Sequence, residues 1–120
     1  MPLTSSMEDY IEAVFVLQQQ RSYVRCVDVA EYLEVKKPSV SRAVKELMKM
    51  KYLMKKADCT LSLTEQGKQI AEQVYEKHLF FTDKLIEAGV SPDIAAQDAC
   101  RLEHVISEES FLKLKAMTEE

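Results

Sequence analysis

The hydrophobic pattern of this chain departs from the helical period in one segment, which begins near residue 52. Before that point apolar residues recur every three or four positions, which is the period of an amphipathic helix. The segment YLMKKADCTLSL then alternates loosely between apolar and polar residues and breaks at Ala57-Asp58, which is typical of a β-hairpin. The pattern predicts helices at residues 7–20, around Asp28 and at 38–51, followed by strands at 53–56 and 60–63.

Capping residues indicate where the first helices begin. Ser6 is the expected cap of the first helix. Pro38 fits the first position of the third helix, because the N–H that proline lacks has no partner there. The expected buried face of the second helix consists of Val29, Ala30, Leu33 and Val35.

The second half of the chain predicts three further helices. Thr64 caps a long one that ends at Ala88-Gly89, where glycine accepts the left-handed C-terminal conformation. Ser91-Pro92 opens a fifth helix that ends near Ile106, and Ser107 caps a sixth.

The predicted fold class is mainly α. Residues 1–63 are expected to form an N-terminal winged helix-turn-helix domain with a small β-hairpin wing. Residues 64–120 are expected to form a C-terminal helical domain that begins with a linking helix of about residues 64–88.

Positive charge is concentrated between residues 36 and 56. Eight lysines and arginines stand there against Glu46 alone, which gives a local charge of +7. Because the whole chain carries −4, the remainder carries −11. Such a split indicates that one part of the chain meets a polyanion and that the other part has a different task.

The basic residues lie on the third helix and the hairpin, the two elements with which a winged helix contacts DNA. Arg42 has the guanidinium that reads a guanine edge with two hydrogen bonds, and Ser39 and Ser41 can donate to a phosphate or a base. The remaining candidates for DNA contact are Lys37, Pro38, Lys45, Lys49, Lys55 and Lys56. The lysines suit phosphates, which add affinity and salt dependence. A lysine-rich helix is also a common solvated surface, but the apolar stripe and the hairpin favour DNA binding.

Six side chains with metal-donor atoms form a second group. They are Asp9, Glu12, His78, Cys100, Glu103 and His104. Asp9 and Glu12 stand three residues apart, and Cys100 stands three and four residues before Glu103 and His104. Each of these two sets therefore shares one helical face. Carboxylate, imidazole and thiolate together suit a divalent transition ion, whereas magnesium and calcium prefer oxygen alone. Carboxylates at this spacing are also common on solvated surfaces, so the spacing alone leaves both interpretations open.

The cysteines and the N-terminal segment indicate the cellular location of the protein. Cys26, Cys59 and Cys100 are widely spaced and form no C-x-x-C motif, which argues against a disulfide framework and a zinc ribbon. Cys26 is interpreted as a packing residue, and Cys59 as an exposed residue without a function. The N-terminal segment has no basic leader and no apolar run of membrane-spanning length, which predicts a cytoplasmic protein with no membrane partner.

The helices after residue 64 carry more large apolar residues than a small domain core requires. We expect these residues to form a self-complementary face in a twofold dimer. The residues are Leu79, Phe80, Ile94, Leu102, Val105 and Ile106.

Four segments together resemble one known family. SMEDYIEAVFVL, VDVAEYLEVKKPSVSRAVKEL, LSLTEQGKQIAE and DACRLEHVISEE are similar to the diphtheria-toxin-repressor and manganese-transport-repressor family of metal-dependent transcriptional regulators, in its two-domain form. The resemblance covers Met7 to about Phe111. It implies a winged helix, a helical dimerisation domain and a metal site at their junction.

The resemblance places all six donors on metal-ligand positions, but it joins features of two branches. The pair Asp9 and Glu12 resembles manganese-type members, which carry a carboxylate where Cys100 stands. Cys100 resembles iron-type members, which carry methionine where Asp9 stands. The ancillary site of iron-type members would fall at Thr82 and Ala96, and neither is a useful donor.

These observations predict a homodimeric repressor of manganese or iron uptake genes. It is expected to bind a palindromic double-stranded DNA operator when it holds Mn(II) or Fe(II), with Co(II) or Zn(II) as substitutes in vitro. One alternative is a winged-helix regulator that senses no metal. A mononuclear metal hydrolase is the other, but the chain shows no glycine-rich loop and no nucleophile constellation, so we expect no enzymatic activity.

Overall fold

The computed structural model describes residues 3–118, which form six α-helices and one two-stranded antiparallel sheet. The elements in chain order are α1 (Ser5–Gln20), α2 (Cys26–Leu33), α3 (Lys37–Lys49), β1 (Leu53–Lys55), β2 (Leu61–Leu63), α4 (Glu65–Glu87), α5 (Pro92–Val105) and α6 (Glu108–Thr118). The mainly α fold class with a small hairpin is therefore confirmed.

The described residues divide into two compact units, one up to Glu72 and one from Gln73 onward. This division falls inside α4, nine residues after the predicted boundary at residues 63 and 64. The first unit contains α1, α2, α3, the hairpin and the first two turns of α4. The second unit contains the rest of α4 with α5 and α6.

The first unit is held by one continuous apolar core. Its largest fully buried side chains include Ile11 of α1, Val29 of α2 and Leu47 of α3. The hairpin adds Leu53 and Leu61, which are buried in the same core. Three helices that share a core with a hairpin are the arrangement of a winged helix-turn-helix, as the sequence predicts.

The hairpin is short and tied to the chain before α2. In its register Leu53 pairs with Leu63 and Lys55 with Leu61. The backbone N–H of Leu61 also donates to the carbonyl oxygen of Val24 at 2.7 Å. Each predicted strand is one residue too long at the turn, where the carboxylate of Asp58 accepts hydrogen bonds from both the backbone N–H and the hydroxyl of Thr60.

Thr64 joins the end of the hairpin to the start of α4. Its hydroxyl accepts from the N–H of Gly67 at 3.1 Å and donates to the carbonyl oxygen of Lys51 at 2.7 Å, so the predicted cap is confirmed. A Cβ atom on Gly67 would lie 2.1 Å from the carbonyl oxygen of Tyr52. Only glycine therefore fits at this point of α4.

The second unit has a small aromatic core. Phe81 of α4, Ala99 of α5 and Phe111 of α6 are buried together, and Phe80 packs against them. The rings of Phe80 and Phe111 meet edge to face, with centroids 5.4 Å apart. Such a geometry suits the quadrupoles of aromatic rings.

Two predictions for the first unit are wrong. The first helix is capped by Thr4, whose hydroxyl accepts from the N–H of Met7 at 3.1 Å, so Ser6 lies inside the helix. Val35 is exposed, because α2 ends at Leu33 and the chain reverses at Glu34 in a left-handed conformation with φ of 57°.

Other boundaries differ by smaller amounts. α3 begins at Lys37, so Pro38 is its second residue. A backbone N–H at the second position of a helix has no partner within the helix, so proline loses no hydrogen bond there either. Gly89 has φ of 102°, which confirms the predicted end of α4. The fifth helix begins at Pro92, and the Ser107 hydroxyl caps the sixth, both as predicted.

The predicted dimer face divides into two groups. Phe80, Leu102 and Ile106 are partly buried and pack against the core of the second unit. Leu79, Ile94 and Val105 are exposed, and Val105 reaches 77%. Across residues 3–118, no helix has both the length and the apolar content that crossing a membrane requires.

Candidate metal centre and nucleic-acid interface

The second unit contains a cluster of donor side chains centred on Glu103. This carboxylate lies on α5, and its side chain is fully buried, at 0% exposure. Helical spacing brings Cys100, Glu103 and His104 to one side of α5, and their ligand atoms lie within 4.8 Å of one another. His78, on α4, approaches the same carboxylate.

Two imidazoles flank the Glu103 carboxylate. His78 Nδ1 lies 3.1 Å from one oxygen, Oε2, and His104 Nε2 lies 3.4 Å from the other, Oε1. His104 is nearly buried, at 6% exposure, and His78 is 24% exposed. Each oxygen of Glu103 therefore faces a different imidazole nitrogen, one from α4 and one from its own helix α5.

Among the described residues, neither oxygen of Glu103 accepts a hydrogen bond. A buried carboxylate in this state costs several kcal/mol unless a cation or a hydrogen bond compensates it. The imidazole nitrogens approach the oxygens without hydrogen-bonding geometry. A divalent cation would compensate the carboxylate and use the nitrogen and sulfur donors at the same time, so the donor set fits a transition metal.

His78 is held in place by its own surroundings. Its ring stacks on that of Tyr75, with centroids 6.4 Å apart and planes 11° from parallel. Its carbonyl oxygen accepts the hydroxyl of Thr82 at 2.7 Å. These contacts orient a residue that sequence spacing alone could not associate with Glu103.

The other two predicted donors belong to the first unit. Asp9 and Glu12 lie on α1, three residues apart, and both are partly buried. One carboxylate oxygen of Glu12, Oε2, is buried. The structure therefore brings four of the six predicted donors together in the second unit and places the other two on one helix of the first.

The predicted DNA-contact residues lie on the surface of the first unit. Arg42, Lys45 and Lys49 are exposed along α3, and Lys55 and Lys56 are exposed on the hairpin. At the start of α3, Lys37, Pro38 and Ser41 are exposed and Ser39 is partly buried. Lys49 lies 3.7 Å from Glu46, so its charge is partly balanced within the helix.

The structure adds one basic residue that the sequence did not single out. Arg25 lines a pocket beside Lys37 of α3 and Lys55 of β1. It stands outside the basic segment of residues 36–56 and becomes its neighbour only in the fold. Its position directly before α2, the helix that braces α3, is the one signal that points to it.

A winged helix with an exposed basic third helix, together with a unit that holds a buried transition-metal donor cluster, defines a metal-dependent DNA-binding regulator. The iron dependent repressor N-terminal DNA binding domain matches residues 2–59. The iron dependent repressor metal binding and dimerisation domain matches residues 64–120. The chain belongs to this family of metal-dependent transcriptional regulators, which confirms the resemblance seen in the sequence.

Similar proteins agree with the family. The HTH-type transcriptional regulator MntR of Geobacillus kaustophilus is 36% identical over 104 residues, which are 87% of this chain and 74% of that protein. An uncharacterised HTH-type transcriptional regulator of Methanocaldococcus jannaschii is 28% identical over 119 residues, 98% of this chain and 95% of that protein. The family is one of transcriptional regulators, and its dependence on metal disfavours a winged helix that senses none.

Solved structures share the fold. The manganese regulator SloR superposes with a TM-score of 0.82 at 25% identity, over 99% of this chain and 55% of that chain. The metal-dependent transcriptional regulator MtsR superposes with a TM-score of 0.85 at 24% identity, over 94% and 53%. The present chain thus spans about half the length of these two proteins.

Proposed function

We propose that this chain is a cytoplasmic, homodimeric repressor of manganese or iron uptake genes, and that a divalent transition metal activates it for operator binding. The observation that carries the proposal is the fully buried carboxylate of Glu103, flanked by two imidazoles and without a hydrogen bond among the described residues. A bound cation would stabilise such a group. Mn(II) or Fe(II) is the proposed physiological effector, and Co(II) or Zn(II) would serve in vitro.

The proposed ligand set extends beyond the cluster in the second unit. His78, Cys100, Glu103 and His104 would supply nitrogen, sulfur and oxygen from α4 and α5. Asp9 and Glu12 would supply two further carboxylates from α1, where their spacing gives both the same helical face. Support for this role comes from the partial burial of both residues on α1.

The ligands explain how metal binding would change DNA binding. Without a cation, the carboxylates of Asp9, Glu12 and Glu103 carry like charges and oppose a common position. A bound divalent ion supplies the positive charge that lets them share one site. Ligands taken from both units then restrict the separation of the two recognition helices in a dimer, which raises the population that fits two half-sites. Metal and DNA must therefore raise each other's affinity.

The surface of the first unit would provide operator recognition. Arg42 stands in the first half of α3 with an exposed guanidinium, which suits a guanine edge in the major groove. Ser41 directly precedes Arg42 and Ser39 lies about one turn earlier, and both suit a phosphate or a base. The lysines of α3 and of the hairpin suit phosphates of a palindromic operator, whose symmetry would mirror that of the dimer.

The second unit would provide the dimer contact. Leu79, Ile94 and Val105 remain exposed there, and α6 adds exposed Leu112 and Met117. Exposed apolar residues in this number favour association with a second copy, because burial of each removes apolar area from water.

The experiment that tests the proposal is a metal titration read out by DNA retardation. Purified protein is freed of metal with a chelator, and operator binding is measured at increasing Mn(II), Fe(II), Co(II) and Zn(II). We expect retardation to depend on metal and to disappear when the chelator is restored. Operator binding that is equally strong with and without the chelator would overturn the proposal.

A further inference from the structure

A pocket of about 270 Å³ opens on the surface of the first unit, away from the donor residues of α1. It is formed by the start of α2, the start of α3 and the hairpin. Its lining residues are Arg25, Cys26, Val27, Lys37, Ser41, Lys55 and Cys59. The pocket thus combines three cationic side chains with two thiols.

The fold brings these two thiols to one place although 32 residues separate them in the chain. The N–H of Leu61 donates to the carbonyl oxygen of Val24 at 2.7 Å, which fixes the hairpin beside the chain before α2. Cys26 stands two residues after Val24, and Cys59 stands two residues before Leu61. Both cysteines therefore lie next to the same hydrogen bond and line the same pocket.

The two thiols differ in exposure. Cys59 is exposed at the tip of the hairpin, where its φ of 69° is a left-handed conformation that favours glycine or asparagine. Cys26 is half-buried at the first position of α2, partly packed against the core. Neither burial nor backbone geometry favours cysteine at position 59, whereas its place in the same pocket as a second thiol suits reversible chemistry.

We propose that Cys26 and Cys59 form a reversible disulfide that lowers DNA binding under oxidising conditions. The regulatory part rests on the proposed DNA-binding function, while the disulfide itself does not. Intracellular disulfides are usually transient and redox-sensing, which fits one exposed and one half-buried thiol.

The reaction is a thiol–disulfide exchange with an anionic low-molecular-weight disulfide such as oxidised glutathione. The thiolate of Cys59 attacks one sulfur of the small disulfide, forms a mixed disulfide and releases one small thiolate. The thiolate of Cys26 then attacks Sγ of Cys59, forms the intramolecular bond and releases the second small thiolate, which takes up a proton. Two cysteines are oxidised and one small disulfide is reduced to two thiols. Arg25, Lys37 and Lys55 would attract the anionic reagent to the pocket.

The bond would change the part of the surface that faces DNA. A disulfide holds its two Cβ atoms about 3.5–4.5 Å apart, so it would fix the position of the hairpin tip relative to the start of α2 and with it the shape of the pocket. Lys55 on the hairpin and Lys37 and Ser41 on α3 line that pocket from different sides. Moving the hairpin would therefore alter the spacing between the lysine of the wing and the polar residues of the recognition helix.

The test begins with the covalent step. Reduced full-length protein is equilibrated in buffers of oxidised and reduced glutathione, the thiols are blocked, and the peptides are mapped by mass spectrometry without reduction. We expect a peptide pair joined through Cys26 and Cys59, with Cys100 unpaired. The Cys26→Ser variant should instead stop at a mixed disulfide on Cys59. A stable mixed disulfide on Cys59 in the wild-type protein, or a link between two chains, would overturn the proposal.

DNA retardation in the presence of Mn(II) then tests the regulatory part. The oxidised wild-type protein should lose its operator complex and recover it after treatment with a dithiol reductant. The matched Cys59→Ser variant retains Cys26 and Cys100 and should bind equally before and after oxidation, so a loss there would assign the effect to one of those thiols without the disulfide and overturn the switch. Failure of the reduced wild-type protein to bind any operator would refute the DNA-binding function and leave the mapped disulfide standing.

Discussion

The two units of the chain are stabilised in different ways. Among the described residues, fourteen buried side chains form the core of the first unit, whereas the second unit buries five apolar side chains, namely Val74, Phe81, Ala95, Ala99 and Phe111. The second unit also buries the carboxylate of Glu103 and exposes apolar side chains such as Val105. A large core gives the first unit a fixed shape from its own residues. From a small core and a buried carboxylate we expect the stability of the second unit to depend on what binds to it.

The strongest way to break this comparison is to remove the buried charge. Glu103→Gln keeps the volume of the side chain but replaces an anionic ligand with a neutral amide. We expect metal affinity to fall by more than roughly 100-fold, the upper range for residues that only support ligands, and metal-stimulated DNA retardation to be lost. Sedimentation should still show a dimer.

The matched control for this variant is Glu109→Gln, an exposed glutamate of α6 in the same unit. It should retain the full metal response. A monomeric or unfolded Glu103→Gln protein would show that Glu103 stabilises the fold rather than a bound ion.

The two glycines test the rigidity of the units. In Gly67→Ala the new Cβ would meet the Tyr52 carbonyl oxygen at 2.1 Å, and we expect a loss of about 3 kcal/mol or more in the stability of the first unit. In Gly89→Ala nothing lies within 4 Å, but φ of 102° costs about 1–2 kcal/mol. Urea denaturation followed by circular dichroism measures both. Equal losses would mean that the first unit yields to the clash by moving its backbone.

Substitutions of two basic residues of the first unit distinguish a contact to a base from a contact to a phosphate. Arg42→Ala should cost about 1–3 kcal/mol at the true operator and far less on random DNA, because it removes a base contact. Lys55→Ala should weaken binding to both DNAs nearly equally and reduce the salt dependence. Retardation or fluorescence anisotropy over a salt series measures this difference. If Arg42→Ala lowered the affinity for both DNAs by the same factor, the prediction that Arg42 reads a base would be wrong.

Cys100 sharpens the comparison by testing the chemistry of the second unit. A Co(II)–thiolate bond should give a near-ultraviolet charge-transfer band that Cys100→Ser loses and that Cys26→Ser and Cys59→Ser keep. A thiolate also favours Fe(II), Co(II) or Zn(II) over Mn(II), so Cys100→Glu should shift the response toward manganese. Cobalt binding without the band would make Cys100 a packing residue and leave five ligands of manganese type.

The smallest expected effect concerns the tip of the hairpin. The hydroxyl and N–H of Thr60 donate to Asp58 Oδ1 at 2.7 and 3.1 Å, and these hydrogen bonds hold the pKa of Asp58 below its usual 3.8. The stabilisation is present above pH 3.8 and is lost as the pH falls through the lowered pKa. A carboxyl titration by NMR should show a midpoint below 3.8, and Asp58→Asn should remove the associated shift at Thr60. A midpoint above that value would contradict the prediction.

Local signals predicted most element types and several ends. Ser91-Pro92 and Thr64 were sufficient to place the starts of α5 and α4, because a cap depends on residues within one turn. Ser6 was a wrong choice because Thr4 is an equally good cap and the decision depends on how α1 packs. Val35 was wrong because helical period extends past the point where Glu34 turns the chain.

Contacts between residues that are far apart in the chain could not be predicted from the sequence pattern. Gly67 reads as an ordinary helical glycine until the Tyr52 carbonyl is known to lie against it. The donors on α5 follow from spacing, but the approach of His78 to Glu103 depends on how α4 packs against α5. Cys26 and Cys59 were interpreted separately, as a packing residue and an exposed residue, because nothing near either one indicates a shared pocket.

One residue, Thr64, stands between the last residue of β2 and the first residue of α4. It hydrogen-bonds to Lys51, Tyr52 and Gly67, so the backbone between β2 and α4 is restrained. A helix of 23 residues is a rod about 34 Å long. A change in the tilt of β2 would therefore turn the start of α4 with it, because Thr64 is held by hydrogen bonds on both sides of the joint.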